Sequence, residues 1–170
     1  LFTKIADQSD FPYFYLARAL LFSDDEKYSA EKDLINARKL GINDWRPSER
    51  LIDYYLQKGL SDKALKIANE SLKKFPENNT LKYVFAKCLM ANGQYSKARN
   101  MLTKTTILPT EGAQYGRITY KQACIMEAID LYKNKQYRAA IRLIDKARLW
   151  PENLGVGKPY DPDERIEDFL

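Results

Sequence analysis

Histidine is missing altogether from this chain of 170 residues. That removes the commonest general base, the Ser-His and Cys-His nucleophile pairs, and every zinc site with an imidazole ligand. The two cysteines, Cys88 and Cys124, are too few for a four-thiolate metal site or a disulfide scaffold. Long apolar runs are missing too: the longest, residues 11–22, is interrupted by Arg18, and a bilayer needs about twenty such residues. No membrane span is therefore expected. The chain starts at Leu1 with no charged-then-apolar leader and is expected to be part of something longer.

The sparse chemistry points the same way. The acidic clusters Asp24-Asp25-Glu26 and 161–164 sit at expected helix starts, where a carboxylate caps free N–H groups and meets the positive end of the helix dipole. The glycines of 155–157 follow no strand and lack the spacing of a phosphate loop. Cys88 and Cys124 fall at positions expected to be apolar and are read as small buried hydrophobes. No catalytic residue, metal or cofactor is expected.

What the chain does have is a period. Ala30, Ala64 and Ala98 stand 34 residues apart, as do Gly59 and Gly93. The segments QYSKARNML and KQYRAAIRLI share one pattern at an offset of 42, which is one period plus eight residues inserted near 108–116. Each period reads as two helices. Leu51, Ile52, Tyr55 and Leu56 recur at helical spacing, Gly59 ends that helix, Ser61 or Asp62 caps the next, and Pro76 stops the pair. Phe85, Ala86 and Leu89, the turn Asn92-Gly93, then Ala98, Met101 and Leu102 repeat the unit up to Pro109. Ala128, Leu131, Asn134, Ala140, Ile144, Ala147 and Pro151 do so again. Helices of a hairpin approach closely only where one presents a small side chain, and a lone hairpin cannot bury its apolar face, so neighbours must share a core.

These residues resemble the tetratricopeptide repeat (TPR), a 34-residue helix-turn-helix with small, aromatic and terminal proline positions. The unit from Trp45 supplies Leu51, Tyr55, Ala64, Ala68 and Pro76 at the family's positions; the unit from Asn79 supplies Phe85, Ala86, Leu89, Ala98 and Leu102. The usual large residue near the start of each unit is replaced by Ser48, Lys82 and Cys124. The resemblance implies an all-α, right-handed superhelical solenoid of about four repeats, at 11–44, 45–78, 79–112 and 121–153. Residues 1–10 are then the remnant of a preceding helix, and 154–170 a tail and the start of a further one. LPTEGAQYGR together with WPENLGVGKPYD is similar, more narrowly, to TPR arrays of uncharacterised multidomain bacterial proteins.

The resemblance further implies a non-enzymatic scaffold that holds a protein segment, or a neighbouring domain of its own chain, in a concave groove. Carried over position by position, the groove residues are Tyr15, Ala19 and Phe22; Arg46, Glu49, Asp53 and Gln57; Tyr83, Lys87 and Met90; and Gln122, Ile125, Ile129 and Tyr132. The lysine and asparagine set with which some members clamp a peptide's terminal carboxylate is not matched. Tyr55, Phe85 and Tyr137 are expected in the core. The segment PENLGVGKPYDP could itself lie across the last helices.

The net charge of +5 raises a second reading. Lys63, Lys66, Lys73, Lys74, Lys97, Arg99, Lys104, Arg138, Arg142, Lys146 and Arg148 crowd the second helices, which form the outer face of such a stack. A nucleic-acid-binding solenoid would interleave its cations with stacking aromatics. On the groove side they are not interleaved, so a solvated surface is expected and nucleic acid is not the expected partner. A structural spacer is the third reading.

Overall fold

The computed structural model describes residues 10–22, 29–109 and 114–155. Among them are eight helices: α1 (Pro12–Leu21), α2 (Ala30–Leu40), α3 (Arg46–Gln57), α4 (Ser61–Lys74), α5 (Asn79–Ala91), α6 (Tyr95–Leu102), α7 (Tyr115–Lys133) and α8 (Tyr137–Ala147). The only β pairing among the described residues is one isolated parallel bridge between Ile107 and Leu154. The chain divides into two units, 1–76 and 77–170. The acidic clusters at 24–26 and 161–164, the expected remnant at 1–9 and the tail beyond 155 lie outside the described residues.

In the first unit α1 pairs with α2 and α3 with α4, and α2 packs against α3. Pro12 and Pro47 sit in the first turns of α1 and α3, where a fixed φ suits the helix and no N–H is missed. Gly41 ends α2 in a narrow place. A Cβ there would lie 3.1 Å from the Pro47 ring and 3.3 Å from Pro12, so glycine lets the starts of both helices close on the end of α2. Ala30, Ala37, Ala64 and Ala68 are all buried, as are Leu34, Leu51, Ile52 and Tyr55. The small side chains line the helix contacts and the larger ones fill around them.

This unit also buries charge. Arg18 of α1 donates through Nε and Nη2 to the two carboxylate oxygens of Asp33 on α2, at 2.5 and 2.7 Å. Its guanidinium lies 5.7 Å from the Tyr15 ring centroid. In the sequence Arg18 stands out only as the residue that interrupts the apolar run. In the fold it is the tie between the first two helices.

In the second unit α5 pairs with α6 and α7 with α8, with α6 against α7 and α5 touching α7. Ala86, Leu102, Tyr120, Cys124, Ile125 and Ala147 form one buried cluster with Ile107 and Leu154. The last two come from non-helical segments. The Ile107 amide donates to the Asn153 carbonyl at 2.8 Å. The Asn153 side-chain amide donates in turn to the carbonyls of Leu102 and Thr105 at 2.9 and 2.7 Å. Asn153 thereby satisfies carbonyls that the end of α6 leaves open. Leu154 is almost fully buried, and Gly116 is what admits it, since a Cβ there would meet the Leu154 carbonyl at 3.0 Å and the Ile107 side chain.

Several expectations change. Gly59 and Gly93 take the left-handed conformation with φ of +70° and +68°, as helix-ending glycines do. The equivalent turn 42 residues on puts Lys135 there instead, at φ +60°. Neither Ser61 nor Asp62 caps α4, which begins at Ser61 itself after Leu60 with no side-chain cap; the helix with a side-chain cap is α5, where Asn78 accepts from the Leu81 amide at 2.9 Å. Helix α7 starts at Tyr115, ahead of the expected unit start at 121. Tyr55 is buried and Phe85 half-buried, but Tyr137 is 51% exposed rather than in the core. Its position in the hairpin matches Tyr95 at the start of α6, which is half-buried.

Candidate functional site

The first helices of the hairpins, α1, α3, α5 and α7, carry the residues assigned to the groove. Three assignments, Tyr15, Ala19 and Ile125, are corrected by burial. Tyr15 is 8% exposed, because the inward arc of α1 contains Tyr15, Leu16, Arg18 and Ala19 together, and Ala19 is buried with it. Ile125 is 8% exposed and belongs to the core cluster of the second unit, with Ile129 half-buried against it. On α7 Tyr115, Ile118 and Gln122 are exposed, while Ile125 lies in the core cluster. Phe22, Arg46, Gln57, Gln122 and Tyr132 are exposed, while Glu49, Asp53, Tyr83, Lys87 and Met90 are half-buried.

In the first unit Arg46 opens α3 inside a polar chain. Its backbone N–H and its guanidinium both donate to Asp44 Oδ1, at 3.0 and 3.2 Å, and the guanidinium lies 4.9 Å from the Trp45 ring centroid. The other Asp44 oxygen accepts from the Tyr13 hydroxyl of α1 at 2.5 Å. Burial pushes the Asp44 carboxyl up, but the hydrogen bonds from Tyr13 and Arg46 outweigh it and hold the group below the usual aspartate value. The hydrogen bond to that carboxylate raises the Tyr13 phenol. Tyr13 and Asp44 were not among the residues expected from the sequence, since they lie in different parts of the period and meet only when α1 and α3 come together.

In the second unit Tyr83 of α5 is the centre. Its hydroxyl shares a hydrogen bond with Thr119 of α7 at 3.2 Å, and its ring lies 5.2 Å from that of Tyr115. The Lys87 ammonium lies 5.9 Å from the Tyr83 ring centroid, one turn further along α5. Tyr115 and Ile118 are exposed beside them and Thr119 is half-buried. The result is an aromatic shelf with one cation, hydroxyl groups and flanking apolar carbon. Tyr115 and Thr119 were missed because the fourth unit was expected to begin only at 121. The i, i+3, i+4, i+7 recurrence of Tyr115, Ile118, Thr119 and Gln122 is the signal that would have found them.

The reactive groups are spent on structure. Cys88 and Cys124 are fully buried, and burial raises the Cys124 thiol above its ordinary value, away from the thiolate that reacts. Burial and the neighbouring Cys124 push the Tyr120 phenol to about 12. Arg99 of α6 holds Glu127 of α7 through two hydrogen bonds at 2.8 and 3.3 Å. Among the described residues no group of three or more Cys, Asp or Glu side chains is placed to hold a metal ion, and no helix is long and apolar enough to cross a membrane.

Residues 55–114 match the family model of the tetratricopeptide repeat. That stretch runs from Tyr55 on α3 through α4, α5 and α6 and stops just before α7. No curated protein matches the chain.

Proposed function

We propose that this chain, whose residues 55–114 match the tetratricopeptide repeat, works as a non-enzymatic scaffold that holds an extended protein segment, or a neighbouring domain of its own chain, on α5 and α7, the first helices of the hairpins in the second unit. Repeats of this family are protein-interaction modules, and the all-α helical-repeat fold agrees with that class. The observation that supports the finer reading is the shelf of Tyr83, Tyr115, Thr119 and Lys87 on α5 and α7. Tyrosine offers a large contact surface at low entropic cost, which is why it recurs at the centres of interfaces. Here one ring is anchored by its hydroxyl and packed on the core, so little freedom remains to be lost on binding. Met90 and Gln122 extend the same site along α5 and α7. No acid, base or nucleophile is assigned.

Selection from a displayed peptide library, followed by calorimetry with the purified chain, tests this. Tyr115→Ala is expected to weaken the selected peptide by about 2 kcal/mol, the size of an interfacial hot spot, with helicity unchanged, and Lys87→Glu to weaken it as well. A peptide whose affinity ignores both substitutions removes the proposed site.

A further inference from the structure

The outward side of the last hairpin, away from the core of the second unit, brings cations and exposed tyrosines together. On α8 the buried or half-buried side chains are Ala139, Ala140, Leu143, Ile144 and Ala147. The rest face outward in two adjoining stripes. One is cationic: Arg138, Arg142 and Lys146, at helical spacings of four. The other is aromatic and apolar, running from Tyr137 to Ile141, which are 51% and 62% exposed. The turn before α8 adds Lys133 and Lys135, together with Tyr132 at 65% exposure. The Tyr132 and Tyr137 rings meet edge to face with centroids 5.4 Å apart.

None of Lys133, Lys135, Arg138, Arg142 and Lys146 forms an ion pair among the described residues. Asp145, the carboxylate on this arc of α8, lies 3.4 Å from Arg148. Residues 77–170 hold fifteen Lys or Arg against eleven Asp or Glu, a net +4, and residues 1–76 hold thirteen against twelve, a net +1. Cations left unpaired beside a preformed, uncovered tyrosine pair are the elements of a surface for single strands: phosphates meet the cations and unpaired bases stack on the rings. An acidic polypeptide would satisfy the cations but carries no bases to stack on the tyrosines. None of these residues belongs to the shelf of Tyr83, Tyr115, Thr119 and Lys87, and Tyr132, expected in the groove, stands here against Tyr137.

We propose that this outward face of α7 and α8 binds single-stranded nucleic acid, with Tyr132 and Tyr137 stacking on bases and Arg138, Arg142, Lys146, Lys133 and Lys135 contacting phosphates. The test is fluorescence anisotropy of a short labelled oligouridylate with the whole chain over a range of salt concentrations. Tyr132→Ser with Tyr137→Ser should weaken binding about tenfold and leave the salt dependence unchanged. Arg138→Gln with Arg142→Gln should lower the slope of log affinity against log salt by about 1.4, at roughly 0.7 for each phosphate no longer neutralised. Should the serine pair lower the melting temperature, Tyr132→Leu with Tyr137→Leu keeps the apolar bulk while removing the stacking rings, and the same tenfold loss is expected. Three results would overturn the proposal: no binding by the unaltered chain at low salt, undiminished binding by a well-folded tyrosine variant, or equal binding of polyglutamate, which would make the face a site for acidic protein segments.

Discussion

The two units are built from the same helical hairpin and are held together by different means. In the first, charged and phenolic groups tie helix to helix: Arg18 to Asp33, Arg38 to both Ser48 and Glu70, and Glu31 to both Tyr55 and Lys63. In the second, beside the Arg99–Glu127 pair, the tie is apolar and amide, with Ile107 and Leu154 inserted into the core and Asn153 closing the end of α6. The period places small residues where helices cross and leaves the means of closure open. The first unit should therefore answer to pH and to single charge deletions, and the second to truncation of side chains far apart in sequence.

The largest effect is expected at Asp33. Asp33→Ala strips the buried Arg18 guanidinium of its bidentate carboxylate and should cost about 3–5 kcal/mol in chemical denaturation. Replacing both partners, as Arg18→Met with Asp33→Leu, should recover most of that, because a buried ion pair repays little more than its desolvation. If the double variant is as unstable as the single, the comparison fails for the first unit. Next comes Leu154→Ala, which empties a fully buried site and should cost about 2–5 kcal/mol. A loss within the range of a surface substitution would show that the 153–154 segment does not close the second unit.

A smaller and pH-dependent effect belongs to Glu31. Hydrogen bonds from Lys63 and then Tyr55 hold its carboxyl below the ordinary value of 4.5. Its folded pKa is depressed, so the stabilisation is present above the unfolded value and is lost as pH falls through the folded one. Glu31→Gln should flatten the acid side of the melting-temperature profile below about pH 4.5 and leave the neutral region nearly level. An unchanged acid limb would contradict the pairing. The smallest effect is a gain. Lys135→Gly relieves a left-handed residue where the two earlier turns carry glycine, and should stabilise by up to about 1 kcal/mol in thermal unfolding.

Much of the fold was legible because it rests on local rules. Ala64 and Ala98, a period apart, are both fully buried, and Gly59 and Gly93 both adopt the left-handed turn. The candidate site was legible only in part, because an exposed position and a buried one differ by a single residue of helical register. Tyr15, Ala19 and Ile125 turned inward for that reason. Tyr83, Lys87 and Met90 were carried over from the resemblance to the tetratricopeptide repeat, whereas Tyr115 and Thr119 were hidden because the fourth unit was expected to begin at 121. The Arg18–Asp33 and Asn153–Leu102 ties carry no periodic signature. They join residues that meet only after the helices have packed.

The most direct test of the scaffold account is hydrogen exchange of the whole chain with and without a peptide selected for binding. The account predicts added protection on α5 around Tyr83 and Lys87 and on the first turns of α7 around Tyr115 and Thr119, with α6 and α8 unchanged. Protection confined to α6 and α8, with none on α5 and α7, would contradict it.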